Sequence, residues 1–110
     1  MKIETLKSSK DFKRLKSGKF HRSHSFLLQG LKNFDSKISR VGYTVTKQNG
    51  NAVIRNRIKR RLKSAAQDVF NNFEDKKWDY VMIGKKNALI ISFDKLKSEL
   101  KFAVDKIHKS

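Results

Sequence analysis

The stretch Arg40-Val41-Gly42-Tyr43-Thr44-Val45-Thr46-Lys47-Gln48-Asn49-Gly50-Asn51-Ala52-Val53-Ile54-Arg55-Asn56-Arg57-Ile58-Lys59-Arg60-Arg61-Leu62-Lys63 passes through three patterns in succession. Residues 40–46 alternate, with Val41, Tyr43 and Val45 on one face, the two-residue period of a strand. Asn49-Gly50 signals a turn, and Asn51 is placed to cap a helix that begins at Ala52. From there the period lengthens. Ile54, Ile58, Leu62, Ala65, Ala66, Val69 and Phe73 recur at helical offsets and predict one buried face on a helix running to about Asn72.

That helix is also heavily charged. In Arg55 to Lys63, six of nine positions are cationic and none is anionic. Same-sign pairs at i, i+4 (Arg55/Lys59, Arg57/Arg61, Lys59/Lys63) each cost roughly 0.2–0.5 kcal/mol on an isolated helix. Cations near a helix start also oppose its dipole. A bound polyanion reverses the sign of both penalties. On a helical wheel Asn56, Arg60 and Lys63 fall opposite the apolar stripe, Arg57 and Arg61 on one shoulder and Lys59 on the other. The helix can pack below and meet phosphates above. Arg supplies planar forks, Asn a paired donor and acceptor, and Lys a point charge.

Working outward, Ser8-Ser9 can cap a short helix carrying Phe12 and Leu15 on one face and ending near Ser17-Gly18. Ser25 to Leu31 is a strand candidate, and Lys32 to Lys37 a turn. Trp78 to Ile83 is a largely buried strand. Ser92 can cap a last helix with Phe93, Leu96, Leu100, Ala103, Val104 and Ile107 as its stripe. Lys106, His108 and Lys109 suit the dipole at its end. The order predicts one α+β domain over 1–110, a two-layer sandwich of about three helices on a sheet of about four strands.

The chain has 110 residues, 37% of them hydrophobic, enough for one core, and a net charge of +17. Such a surface attracts nucleic acid or anionic membrane. No apolar run approaches the roughly 20 residues of a membrane span, and residues 1–30 hold no run of signal-peptide type. A cytoplasmic protein is expected. With no cysteine, disulfides and thiolate metal sites are excluded.

Catalytic groups are sparse. His21 and His24 lie three apart but lack acids nearby to complete a metal shell, and read as surface residues. Asp68, Glu74, Asp75 and Asp79 follow the basic helix. A carboxylate pair can hold Mg²⁺ for phosphodiester cleavage, but these read as solvated charges that soften the positive field. Neither a Ser/His/Asp constellation nor a phosphate-binding glycine loop is visible. Phe12 sits among Lys10, Lys13, Arg14 and Lys16. An aromatic so flanked can stack on an unpaired base, though composition favours a core role for Phe12, and the same holds for Phe26 and Tyr43.

The strand Arg40 to Lys47, the Gly50-Asn51 turn and Arg55-Asn56-Arg57-Ile58-Lys59-Arg60-Arg61 together resemble the protein component of bacterial ribonuclease P, whose signature includes an R-N-R-x-K-R helix after an R-V-G strand. Asp11-Phe12 and Trp78 to Lys86 extend the resemblance over nearly the whole chain. It implies the ribosomal protein S5 domain 2-like fold, with a left-handed β-α-β crossover through the basic helix where physical rules favour the right-handed one. It implies an RNA-binding subunit of a ribonucleoprotein endoribonuclease, a hydrolase that matures the 5′ end of tRNA. The catalytic centre and its Mg²⁺ then lie in the partner RNA, and the protein alone binds no cofactor. The implied partners are the ribonuclease P catalytic RNA and precursor tRNA, not DNA or membrane. The resemblance assigns Arg55, Asn56, Arg57, Lys59, Arg60 and Arg61 to the catalytic RNA, and Lys63 on the same charged face is expected to join them. To a cleft for the single-stranded 5′ leader it assigns Phe12 and Lys47, and Lys16, Phe26 and Tyr43 are expected to line the same cleft. Three departures stand out: Lys16 where many members carry an aromatic, Gln29 where some have Tyr, and Gln48 where a second lysine is common. They shift the cleft from stacking towards charge.

A ribosomal RNA-binding structural protein shares this charge and size. A DNA-binding helix-turn-helix protein needs a helix where residues 40–46 read as a strand, and a metal-dependent nuclease would cleave without added RNA.

Overall fold

The computed structural model describes residues 4–6, 9–33, 38–71 and 78–109. Its elements in chain order are β1 (Glu4–Thr5), α1 (Ser9–Leu15), β2 (Lys19–Arg22), β3 (Phe26–Lys32), β4 (Arg40–Val45), a 3-10 turn at Lys47–Asn49, α2 (Ala52–Phe70), β5 (Trp78–Gly84), α3 (Asn87–Ile90) and α4 (Phe93–Lys109). The strands form one sheet in the order β1-β4-β5-β3-β2. β4 and β5 are parallel neighbours joined through α2, with Val41 opposite Tyr80 and Tyr43 opposite Met82. β3 runs antiparallel to β5, and β2 to β3.

The described residues hold five strands and four helices, more than expected. The additions are short: β1 has two residues and α3 four. α2 starts at the expected place, because the Asn51 side chain accepts from the Ile54 N–H at 3.0 Å. Gly50 before it has φ +138°, a conformation that a Cβ disfavours. The helix closes at Phe70, which is the last buried residue of its stripe. Phe73 lies outside the described residues, as do Ser8, Asn72 and much of the turn expected at 32–37. Ser92 caps α4 as predicted, its Oγ accepting from the Lys95 N–H at 3.3 Å.

Alternation along the strands divides the side chains between two faces. Phe26, Leu28, Val41, Val45, Trp78, Tyr80 and Met82 point to one face, where Ile58, Leu62, Ala65, Ala66, Val69 and Phe70 of α2 and the stripe of α4 close the main core. Gly84 lets α2 come close, since a Cβ there would stand 2.6 Å from the Ile58 Cγ2. The other face carries a smaller cluster, Leu6, Leu15 and Val81, with Phe12, Leu31 and Ile83 packed against it. On this face α1 covers only part of the sheet.

Candidate nucleic-acid interface

Cross-strand pairing fixes what the second face presents. Directly paired residues share a face, so Phe20, Gln29, Val81 and Gly42 form one row, and Arg22, Leu27, Ile83 and Thr44 the next. α1 sits over the Gly42 end of the first row. A Cβ on Gly42 would meet the Phe12 ring at 2.5 Å, so the ring rests directly on the strand backbone. Away from α1, Leu27, Gln29, Thr44 and Ile83 remain half-buried, and Phe20 is 61% exposed. The Arg22 guanidinium lies 5.9 Å from the centre of the Phe20 ring.

What pins α1 in place is a buried carboxylate. Asp79 is fully buried. It accepts from Arg40 Nε at 2.9 Å and Nη2 at 2.7 Å, from Arg14 on α1, and from Asn33 at 3.1 Å. Burial alone pushes its pKa up, but the hydrogen bonds from Arg40, Asn33 and Arg14 outweigh it and hold the carboxyl below its usual range. The hydrogen bond to Asp79 raises the Arg40 pKa in turn. Asp79 is therefore not the solvated charge read from the sequence. Asp68 is exposed and pairs with Lys97 at 3.6 Å, while Glu74 and Asp75 lie outside the described residues. Among those residues no group of three or more potential ligands could hold a metal ion.

At the β4 edge of the sheet, a groove of about 390 Å³ is lined by Thr5, Leu6, Phe12, Tyr43, Lys59, Arg60 and Lys63. β1 pairs with β4 only at Arg40 and Val41, so α2 and α1 face each other across the strand beyond it. Lys63 stands four residues after Lys59 and three after Arg60, which brings the three to one side of α2. The sequence assigned these cations to one RNA and Phe12 and Tyr43 to another. The structure lines a single groove with all five. Tyr43 is a neutral donor there, because burial pushes its phenol pKa well above the usual tyrosine range.

The other predicted residues are more scattered. Asn56 and Arg57 are exposed on α2. Arg55 Nε donates to the Gly50 carbonyl at 3.2 Å, and Arg61 Nη1 to the Leu89 carbonyl at 3.1 Å. Each guanidinium has further N–H groups to offer. Lys16 follows α1 and Lys47 opens the 3-10 turn; both are exposed, and neither lines the groove. Phe26 is a correction. It is fully buried in the main core, because its strand position shares the face of Leu28 and Tyr80, and its side chain leaves no surface for a ligand. Phe12 satisfies both of its readings, half-buried against Leu15 and Val81 while lining the groove. Phe20 went unnoticed in the sequence. The alternation Lys19-Phe20-His21-Arg22 was the available signal, placing Phe20 and Arg22 together.

A model of the ribonuclease P family matches residues 1–108. The ribonuclease P protein component of Ruegeria pomeroyi is 36% identical, covering 96% of this chain and 87% of its own length. That of Bartonella quintana is 40% identical over 82% of this chain and 72% of its own. The RNase P protein of Staphylococcus aureus superposes with a TM-score of 0.77 at 26% identity, covering 94% of both chains. That of Thermotoga maritima shares the fold at a TM-score of 0.75 and 24% identity, covering 97% of both.

Proposed function

This chain belongs to the ribonuclease P protein family, RNA-binding subunits of a ribonucleoprotein endoribonuclease that processes tRNA, and we propose how its surface serves that reaction. The outer face of α2, with Asn56, Arg57, Lys59, Arg60 and Lys63, docks on the catalytic RNA. Arg55 and Arg61 add their remaining N–H groups at its flanks. The single-stranded 5′ leader of precursor tRNA enters at Phe12 and Tyr43 and crosses the open sheet face toward Phe20 and Arg22. Lys47 and Lys16 contribute charge along the way. The observation that carries this reading is the groove at the β4 edge, where α2 cations meet Phe12 of α1 and Tyr43 of β4. One continuous surface then touches both RNAs.

The chemistry belongs to the partner RNA with its Mg²⁺, which activates the nucleophile and stabilises charge on the leaving oxygen. This chain's residues bind, orient and screen. Cations held between two polyanions offset their repulsion, so the protein helps most where Mg²⁺ is scarce. Arg residues supply forked contacts to phosphates. Phe12, Phe20 and Tyr43 supply stacking that tolerates any base, each stack adding roughly 1–3 kcal/mol. No membrane role is proposed; among the described residues no helix is long and apolar enough to cross one.

Reconstitution with the cognate catalytic RNA tests this. Precursor tRNA cleavage at low Mg²⁺ should accelerate when the protein is added, and the acceleration should shrink as Mg²⁺ rises. A cleavage rate indifferent to the protein at low Mg²⁺ would overturn the reading. Cleavage by the protein without RNA would move the chemistry onto the chain.

A further inference from the structure

A second groove lies at the opposite edge of the sheet. A groove of about 600 Å³ between β2, α3 and α4 is lined by His21, Arg22, His24, Lys95, Glu99 and Phe102, among others. Neither the basic helix nor the α1 side of the sheet accounts for it. Phe102 stands 56% exposed on α4. Its ring meets the His21 ring edge-on, with centroids 5.4 Å apart, and Lys106 Nζ lies 5.3 Å from its centre. A large aromatic side chain left in solvent on an otherwise polar helix face presents a flat stacking surface.

The groove also holds a prepared acceptor. The Glu99 carboxylate receives hydrogen bonds from the Ser23 hydroxyl and, at 2.8 Å, from the fully buried Ser25 hydroxyl. Asn87 Nδ2 donates to Ser25 Oγ at 3.1 Å, which steadies that hydroxyl from α3. One hydroxyl occupies each carboxylate oxygen, and each oxygen keeps a lone pair for a further donor. The groove thus combines an aromatic platform, a fixed acceptor pair, and a cation at Lys95.

We propose that this groove holds one unpaired nucleotide of RNA, its base stacked on Phe102, its donor edge on Glu99 and its phosphate on Lys95. The proposal rests on the reading of the chain as an RNA-binding subunit and adds a second recognition surface on the far side of the sheet. Charge complementarity favours this occupant: Lys95 lines the wall and Lys106 stands beside Phe102, and the lone carboxylate sits where a base edge rather than a phosphate would lie. Glu99 makes the groove selective. Guanine offers two adjacent donors on its Watson–Crick edge, matching two carboxylate oxygens. Uracil offers one donor between two carbonyl oxygens, which the carboxylate repels. An RNA threaded through the β4 groove and captured here would wrap the sheet from both edges.

The test titrates the full chain with GMP and with UMP, following the ring resonances of His21 and His24. GMP should shift His21 saturably, and UMP should bind roughly tenfold more weakly. Phe102→Ala, at an exposed position, should keep the fold and weaken GMP on the order of tenfold. Glu99→Gln should level the difference between GMP and UMP. Equal responses to the two nucleotides, or a GMP response untouched by Phe102→Ala, would overturn the groove as a nucleotide site. Cleavage assays separate this from the parent reading. A chain that stimulates precursor tRNA cleavage but treats GMP and UMP alike refutes the groove alone. A chain that distinguishes them without stimulating cleavage refutes the proposed function and leaves the groove standing.

Discussion

Asp79 decides where α1 lies. It is fully buried, and its partners come from α1, β4 and the residue following β3. Removing one member of a buried ion cluster leaves the others uncompensated, so Asp79→Asn should destabilise the fold by roughly 3 kcal/mol at pH 7. The folded carboxyl pKa is lowered. Its contribution is therefore present above the unfolded carboxyl value of roughly 3.9 and is lost as pH falls through the folded value. Thermal denaturation at several pH values should show the gap between wild type and Asp79→Asn closing below about pH 4. A gap constant with pH would mean that the charge is not what matters. Gly42 is the second such position. A methyl group there would meet the Phe12 ring at 2.5 Å and the Leu6 carbonyl oxygen at 3.2 Å, so Gly42→Ala should displace Phe12. Leader affinity should fall severalfold while affinity for the catalytic RNA holds, a split that filter binding would resolve. Neither role was legible in the sequence. Asp79 looked like one more acid after the basic helix, because its arginines are 65 and 39 residues away in the chain. The only local signal was an acid inside the apolar run Trp78 to Ile83. Phe26 shows the opposite failure. It is expected in the cleft as an aromatic of a strand, but the parity of its strand position turns it into the core.

At the scale of elements, what local chemistry specifies was legible and what distant pairing specifies was not. β4, the turn, the Asn51 cap and α2 follow from alternation, an Asn-Gly dipeptide, a capping residue and a helical period, all readable within a few residues. β1 exists only because Glu4 and Thr5 find Arg40 and Val41. Two residues carry no periodicity, so no local pattern announces it. α3 is a single turn held by such contacts as Arg61 to the Leu89 carbonyl. Phe70 lies outside the stripe read from the sequence, yet it is buried at the end of the helix. The cap gives a direct test. Asn51→Ala removes the acceptor for the Ile54 N–H and should lower stability by about 1 kcal/mol, with a fall in melting temperature of several degrees. Asn51→Asp or Asn51→Ser should restore most of it, since both present a capping oxygen. If Asn51→Ala melted like wild type, the start of α2 would be fixed by packing rather than by its cap.

Across the whole molecule, +17 charges surround a core that closes without them. Cationic side chains line grooves at both edges of the sheet, while the fixed acid Asp79 is sealed beneath α1. A compact chain so charged repels itself, and a polyanion relieves the repulsion as it binds. The bound state should then depend steeply on salt. Each phosphate neutralised contributes a slope of roughly −0.7 to −0.9 in log K against log salt, so about six contacts should lower affinity on the order of a thousandfold between 50 and 200 mM. Arg55 and Arg61 already donate to backbone carbonyls, whereas Arg57, Lys59, Arg60 and Lys63 are exposed. The exposed four should therefore carry most of that slope. Arg57→Ala combined with Arg60→Ala removes two of them without touching the buried face of α2. The double variant should melt within a degree or two of wild type, since exposed substitutions away from caps and cores stay within about 0.5 kcal/mol. Its binding to the catalytic RNA should weaken at every salt concentration, and the slope should flatten by about 1.5 to 2. Weaker binding with an unchanged slope would mean that these arginines contact bases or shape the helix instead of neutralising phosphates. Unchanged binding with a normal melting curve would remove α2 as the docking element altogether.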